Sequence, residues 1–394
     1  MSVITGRENG LLLERLQSAM AKEGLDGLLL MMPENIFYAT GYASDFAYFS
    51  GDLGRTVAVV PAVGKPGIVC SEFEQLVAVQ QALGCNIAGY PVFIYIEDFC
   101  KGRTELPSVM DFTKPVRMAM ELLGLKKGAK LGVEHVNVPH GIWSYLCEEV
   151  GAENLVDCTP MLVRCKSYKT PWEIATLRKS ATLCDEVLAR VIRETEPGQT
   201  EATIANKIHR YSYEASQDIT SIVQVNTMGK NISPALIYRD EPLVEGDIVR
   251  LDASVNICCY NSDIARTYAV GKKVDPRRQF IYDAMMEGYE KTMGMIGPGV
   301  PFKAVFDETL ACIRKHIPEY IRGHFGHSIS CNRSAEDGPR ISANEPGCFE
   351  PNMVFCVEWP YYSSVDQSYN IEEEILITEN GFEQLTFANK TLII

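Results

Sequence analysis

Four stretches of this chain set acidic or imidazole side chains on or beside runs that alternate as strands do. The first is Gly246–Gly271, GDIVRLDASVNICCYNSDIARTYAVG. Apolar Val249, Leu251, Ala253, Val255 and Ile257 fall on one face. Arg250, Asp252, Ser254 and Asn256 fall on the other, which is the period of a strand. Tyr260-Asn261-Ser262 reads as a turn and Asp263–Val270 as the returning strand. Asp263 follows Asp252 by eleven positions, so a hairpin turning near Cys258 to Tyr260 brings the two carboxylates together. Two carboxylates at close range need a proton or a cation between them. A hard divalent cation takes such oxygens. One such pair also arises from turn capping or from a solvated strand face, so the weight falls on what lies downstream.

Three further blocks follow. Gly323–Ser330, GHFGHSIS, holds His324 and His327, two of the six histidines of the chain, with glycines that let backbone approach closely. Met353–Glu358, MVFCVE, is an apolar strand ending in a carboxylate. Ile371–Thr378, IEEEILIT, puts three glutamates at the head of another. Each block alone is ordinary surface. Together they give Asp, Asp, His, Glu, Glu in chain order. One imidazole and four carboxylates suit a pair of divalent ions such as Mn, Zn, Fe or Co, and not a thiolate zinc site. Strand alternation alone does not separate Glu372 from Glu373.

The elements that carry these blocks belong to a long, acidic chain. Its 394 residues predict one large or two medium domains, and 46% hydrophobic against 22% charged residues is usual for a globular protein. A net charge of −14 disfavours nucleic acid or an anionic membrane as partner. No apolar run is long enough to span a membrane, and MSVITGRENG lacks the apolar core of a signal peptide. Thirteen cysteines without a CxxC spacing read as buried reduced thiols, which predicts a cytoplasmic protein.

Upstream, helices are predicted over Leu11–Glu23, Glu72–Leu83 and Pro115–Leu123, and strands over Leu25–Met32, Arg55–Pro61, Gly67–Cys70, Val92–Ile96 and Lys130–Val133. Pro33-Glu34-Asn35 and then Thr40-Gly41-Tyr42 read as loop. This alternation predicts an α/β domain. The basic, proline-bearing stretch Cys158–Thr170 reads as the joint, dividing the chain into 1–160 and 161–394. Thr170, Pro171 and Glu173 form a capping-box pattern that opens a helix to about Glu194. Glu201–Ala215 continues as a helix, and beyond Ser221 strands dominate, with helices around Pro276–Ile296 and Phe302–His316.

The stretches RLQSAMAKEGLDGLLLMMPENIFYATGY and VRCKSYKTPWEIATLRKSA resemble the N-terminal domain and linker of the creatinase, prolidase and aminopeptidase P family. VEGDIVRLDASVNICCYNSDIARTYAVG, GHSIS, EPNMVFCVEWPYY and NIEEEILITENG resemble its four metal-site blocks, in order. The resemblance spans nearly the whole chain. It implies an α/β creatinase-like N-terminal domain ahead of an α+β catalytic domain with the pita-bread fold. It implies two divalent metal ions with Asp252, Asp263, His327, Glu358 and Glu372 as ligands, Asp263 and Glu372 bridging. Glu372 is chosen over Glu373 because the family's acidic pair precedes a strand matched by Glu374–Thr378. A hydroxide activated between the ions, with Glu358 shuttling the proton, would attack an Xaa-Pro peptide bond. His324, Arg333, Ser334 and Tyr362 are assigned to the substrate. A homodimer is also implied, with the aromatic-rich Phe37, Tyr38, Tyr42, Phe46, Tyr48 and Phe49 at its contact.

The chain departs from the family at the substrate. Family peptidases carry two further histidines that serve the scissile amide. Here VNTMGKNISPALIYRDEPL has none, with Ala235 or a neighbour in its place, and Ser334 stands at the other. Ser330 replaces a glycine, and Asn370 an arginine. Each lost transition-state donor is worth about 2–4 kcal/mol. The expectation is an intact metal site, weak cleavage of Xaa-Pro peptides, and a rebuilt substrate shell around Cys331, Asn332, Arg333, Glu336 and Asp337. The alternatives are C–N hydrolysis or elimination on a small amino-acid derivative, sulfonium or betaine compound, or a binding protein without turnover.

Overall fold

The computed structural model describes residues 6–393 apart from 83, 93, 105–110, 217–220, 230–237, 239 and 333–335, with 221–229 described by backbone alone. Ala235, Arg333 and Ser334 lie outside the described residues. The chain divides into two units, Met1–Lys166 and Ser167–Ile394.

The first unit is built on a six-stranded sheet in the order β4-β3-β2-β1-β5-β6. Its strands are β1 (Gly27–Leu30), β2 (Val57–Pro61), β3 (Gly67–Ser71), β4 (Asn86–Tyr90), β5 (Leu131–Val133) and β6 (Leu155–Asp157). Helices α1 (Asn9–Glu23), α2 (Pro33–Thr40), α3 (Glu72–Gln81), the single turn α4 (Glu97–Cys100), α5 (Thr113–Leu123), α6 (His140–Val150) and α7 (Thr159–Ser167) alternate with them. Leu29, Val57, Val59, Val69, Val116 and Leu131 pack into the core.

Three expectations change. Pro33–Thr40 is a helix, not a loop: Pro33 opens it with its fixed φ. The buried Glu134 carboxylate accepts from the N–H groups of Met31 and Met32 and from the Asn35 amide, at 2.5, 3.0 and 2.6 Å. The strand expected at Val92–Ile96 lies instead at Asn86–Tyr90, an edge strand whose half-exposed residues hide the alternation. The joint carries a helix, α7, rather than open linker.

The second unit begins with α8 (Pro171–Arg193). Thr170 and Glu173 close the predicted capping box, and the Tyr260 hydroxyl donates to Glu173 at 2.6 Å. After α9 (Glu201–Ser216), β7 (Ser221–Gly229), β8 (Ile248–Ile257) and β10 (Ile264–Ala269) form a sheet in the order β10-β8-β7, with the short β9 (Tyr260–Asn261) paired to β8. The hairpin turns where expected, whereas Tyr260 and Asn261, read as part of a turn, already pair with β8. Ile257 pairs with Tyr260, and Cys258 and Cys259 form the two-residue loop with φ of 50° and 68°. Both positive φ values give the hand of turn that twisted strands accept. These two cysteines are therefore the turn residues of the hairpin.

Helices α10 (Pro276–Met293) and α11 (Phe302–Arg314) pack with a second sheet, ordered β12-β11-β13-β16-β17. Its strands are β11 (His324–Ile329), β12 (Glu336–Ser342), β13 (Val354–Glu358), β16 (Glu372–Thr378) and β17 (Gly381–Gln384), and β14 (Tyr361–Ser363) pairs with β15 (Gln367–Tyr369). Phe302, Phe325, Phe349, Phe355 and Trp359 fill the core between them. All thirteen cysteines are free thiols. Among the described residues, no helix is long and apolar enough to cross a membrane.

Candidate metal centre

Asp252 projects from the polar face of β8, opposite Ala265 in register, and Asp263 sits at the entry to β10. The second sheet supplies the rest. His327 pairs across with Cys356, and Glu358 at the end of β13 is directly opposite Glu372 at the start of β16. Residues directly opposite on antiparallel strands share a face. Gly326, at φ 144°, makes this approach feasible: a Cβ there would lie 2.3 Å from the Cys356 carbonyl oxygen. The glycine beside the histidine thus serves strand packing against β13.

Ligand atoms of Asp263, His327 and Glu372 all lie within 4.8 Å of one another, and all three residues are buried. His327 Nε2 is 3.9 Å from Asp263 Oδ2 and 3.7 Å from Glu372 Oε1. Its Nδ1 lies 3.1 Å from the Ser328 carbonyl oxygen. Donation there leaves the Nε2 lone pair facing the carboxylates, as a metal ligand requires. Asp263 Oδ1 is buried with no hydrogen-bond partner among the described residues. Burial, then Glu372 and Asp252, push the Asp263 carboxyl well above the usual carboxylate range. Burial, then Glu358 and Asp252, do the same to Glu372. Mutually repelling carboxylates facing one imidazole, in a buried site, are a donor set short of positive charge, and divalent ions fit it.

Two of the five expected ligands stand differently. Asp252 is only partly buried, and it joins the cluster through the field it exerts on Asp263 and Glu372. Glu358 is buried beside Glu372 and has both oxygens engaged by other side chains. Its Oε1 accepts from Arg322 Nη2 at 2.6 Å and lies 3.3 Å from His324 Nδ1, and its Oε2 is 3.4 Å from the Asn370 amide nitrogen.

The two adjacent glutamates face opposite ways, Glu372 toward Asp263 and His327. Glu373 points away from the cluster into a buried ionic network. Arg266 Nη2 donates to Glu373 Oε2 at 3.1 Å and to Asp185 Oδ1 at 2.8 Å, while its Nη1 donates to the Glu372 carbonyl at 2.5 Å. Lys390 meets Glu373 Oε1 at 2.7 Å, and the Thr386 hydroxyl donates to Glu373 as well. Asp185 also accepts from the N–H groups of Phe387 and Ala388 at 2.6 and 2.7 Å, which ties down the C-terminal segment. This network braces the backbone of Glu372 from behind. The sequence signal for it was only an arginine on the returning strand. Glu374, on the face of Glu372, is fully buried. Burial raises its pKa well above the ordinary value, against the pull of the Asp263 backbone N–H, Lys169 and His327.

Of the residues expected at the substrate, His324 and Tyr362 lie beside the cluster: His324 against Glu358, Tyr362 with its ring 4.9 Å from the Arg250 guanidinium. Arg333 and Ser334 are outside the described residues. Asp337 is buried, accepting from the Ser330 hydroxyl at 2.7 Å. It is thus the polar partner of the residue that replaces the family glycine, not an open substrate group. Arg322 was missed by the sequence reading because nothing in IRGHFGH distinguishes it from a surface arginine.

The profile of metallopeptidase family M24 matches residues 175–379, and that of the creatinase/prolidase N-terminal domain matches 13–167. A Bacillus subtilis protein called uncharacterized peptidase YqhT is 27% identical over 386 residues, covering 97% of this chain and 99% of that protein. The Xaa-Pro dipeptidase of Pyrococcus horikoshii is 25% identical over 315 residues, 78% of this chain and 87% of its own. Among solved structures, the Xaa-Pro dipeptidase of Bacillus anthracis superposes with a TM-score of 0.78 at 23% identity, over 98% of this chain and 100% of that one. The recombinant prolidase of Thermococcus sibiricus gives 0.80 at 20% identity, over 98% and 99%. The expected pita-bread fold is borne out by these neighbours, and the chain belongs to metallopeptidase family M24, a metal-dependent hydrolase with a creatinase/prolidase N-terminal domain.

Proposed function

We propose that this protein hydrolyses short peptides at a site holding two divalent ions, drawn from Mn, Zn, Fe or Co, with Asp252, Asp263, His327, Glu358 and Glu372 as ligands. The observation that carries the reading is the buried meeting of Asp263, His327 and Glu372, with both carboxyls pushed upward. Bound ions would polarise the substrate carbonyl and make water nucleophilic near neutral pH. The chain supplies the remainder. His327 Nε2 and the two buried carboxylates fix the position of positive charge. Arg322 and Asn370 hold the two oxygens of Glu358, so that this carboxylate presents a fixed proton acceptor at the edge of the site. The relatives named as dipeptidases and peptidases support peptide substrates over sulfonium or betaine compounds, which no relative reported above names.

The test is turnover. Protein loaded separately with Mn, Zn, Fe and Co is assayed on Xaa-Pro and other dipeptides and tripeptides. Metal-dependent release of amino acids, abolished by chelation, is the expected result. Because Ala235 or a neighbour, and Ser334, stand where two histidines serve family peptidases, kcat/KM on Xaa-Pro dipeptides is expected below about 10⁴ M⁻¹s⁻¹. No turnover of any peptide with any metal would sink the reading and favour a non-peptide substrate or a binding role.

We also propose a cytoplasmic homodimer. Of the six aromatics expected at its contact, Phe37, Tyr38 and Tyr42 are core residues at 1–2% exposure, whereas Phe49 is 62% exposed. Phe73, Leu76 and Val77 form an exposed apolar stripe along α3, and the Phe73 ring packs on Phe46. Light scattering after size exclusion should give twice the chain mass; a monomer rules the dimer out.

A further inference from the structure

We propose that Cys312, His316 and Glu287 form a second metal site, for one zinc ion or a divalent ion of like softness, across the α10–α11 helix pair. It shares no residue with the cluster of Asp263, His327 and Glu372. Glu287 lies on α10. Cys312 lies in the last turn of α11, and His316 follows in the turn that closes it, where its N–H donates to the Ile313 carbonyl at 3.0 Å. Residues at i and i+4 are neighbours on one helix face, which puts the thiol and the imidazole side by side. Both meet the same carboxylate. His316 Nε2 is 2.6 Å from Glu287 Oε2, and Cys312 Sγ is 3.6 Å from Glu287 Oε1. The Phe280 ring, on α10 as well, stands edge-on to the imidazole with centroids 6.1 Å apart. It packs the His316 ring beside the carboxylate.

The donor set names the ion. Thiolate, imidazole and carboxylate are ligands that zinc takes together, and the sulfur sets this site apart from the oxygen-and-nitrogen catalytic cluster. Zinc bonds of about 2.0 Å to nitrogen and oxygen and 2.3 Å to sulfur place tetrahedral neighbours about 3.3–3.5 Å apart. Sulfur and oxygen are already near that spacing at 3.6 Å, and the shorter nitrogen–oxygen contact is a hydrogen bond that an ion would open. The adjustment falls on side chains with room to make it. Those of His316 and Glu287 are 35% and 46% exposed, whereas Cys312 is held at 5%. Water from that side fills the fourth position. The hydrogen bond from His316 keeps the Glu287 carboxyl below its ordinary range, so it stays ionised and draws a cation in. Burial, then Glu287, push the Cys312 thiol up, so without an ion the sulfur stays protonated. On binding, the S–H bond breaks, its proton passes to water and the sulfur electron pair goes to the ion. The imidazole keeps one proton, on Nδ1. The ion ties together two helices whose inner faces pack on the sheet that carries β11 and β13.

Cobalt(II) is the probe, because a cobalt–thiolate bond absorbs strongly in the near ultraviolet and bonds to carboxylate or imidazole do not. Metal-free full-length protein is titrated with cobalt(II), and zinc(II) is then added as competitor. The expected result is a thiolate band that zinc(II) displaces. Glu372→Gln, which removes a ligand of the catalytic cluster, should keep the band, and Cys312→Ser should lose it. His316→Ala and Glu287→Gln change side chains open to solvent and leave the core intact. Each should weaken zinc binding at this site by at least about tenfold, since even residues that only orient ligands are worth that much. No thiolate band in the parent protein overturns the proposal. So does a band that survives Cys312→Ser, which would place the sulfur elsewhere among the thirteen cysteines. A band lost in Glu372→Gln, or zinc affinity unchanged in both His316→Ala and Glu287→Gln, overturns it as well; the last two variants decide the matter if Cys312→Ser fails to fold. The band does not depend on turnover of any peptide, so failure of the catalytic reading and failure of this one are separable.

Discussion

Purified Asp263→Asn and Glu372→Gln proteins are expected to hold far less metal than the parent chain. Each replaces a buried anion facing His327, and each would touch both ions. Changing residues that only orient ligands costs about 10–100-fold in metal affinity, so losing a bridging ligand should exceed that. Elemental analysis and calorimetry measure it. Two ions per chain retained in both variants would show that the ligand assignment is wrong. The same variants carry a second signature in the metal-free protein. The Asp263 and Glu372 carboxyls are raised in the folded state. The folded chain therefore binds more protons than the unfolded one above the ordinary carboxylate range. Their contribution to stability is full below an unfolded pKa of about 4 and is lost as pH rises through the folded values. Metal-free parent protein should melt at lower temperature near neutral pH than in mild acid. Asp263→Asn should flatten that slope, and bound metal should reverse it.

Arg266→Met is expected to cause the largest loss of stability. The Arg266 side chain is 2% exposed and meets Asp185, Glu373, the Glu372 carbonyl and its neighbour's carbonyl. Removing one partner of a buried ionic network strands the others, at a cost of about 3–5 kcal/mol. For a unit of this size that corresponds to a melting temperature lower by roughly 6–20 °C. Arg266→Lys should recover little, since one ammonium cannot reach both carboxylates and two carbonyls. Lys390→Met should cost less, because Lys390 is at 20% exposure and Arg266 still serves Glu373. Scanning calorimetry of metal-free protein decides it. A shift of less than about 2 °C for Arg266→Met would mean the network contributes little and does not brace Glu372.

Local patterns were legible where one rule dominated. The capping box at Thr170 and Glu173 was readable because it involves three adjacent residues and no distant partner. The alternation of β8 was readable because one face packs in a core while the other carries Arg250 and Asp252. Patterns failed where the deciding partner was far along the chain. Pro33–Thr40 became a helix because Glu134, a hundred positions away, satisfies the backbone and Asn35 at its start. Asn86–Tyr90 became a strand through pairing with β3, although its own residues show no burial alternation.

The sequence by itself determined the two-part architecture, the family and the acidic-imidazole blocks, because residue type and order along the chain carry that information directly. Only the tertiary structure decided which glutamate of the triplet faces His327. Glu372 and Glu373 are neighbours whose side chains leave a strand in opposite directions, and the choice depends on register: Glu372 opposite Glu358 on one face, Arg266 and Lys390 waiting on the other. It alone also brought Arg322 to Glu358, since a salt bridge across thirty-six positions follows from how β11 and β13 pair and not from either segment.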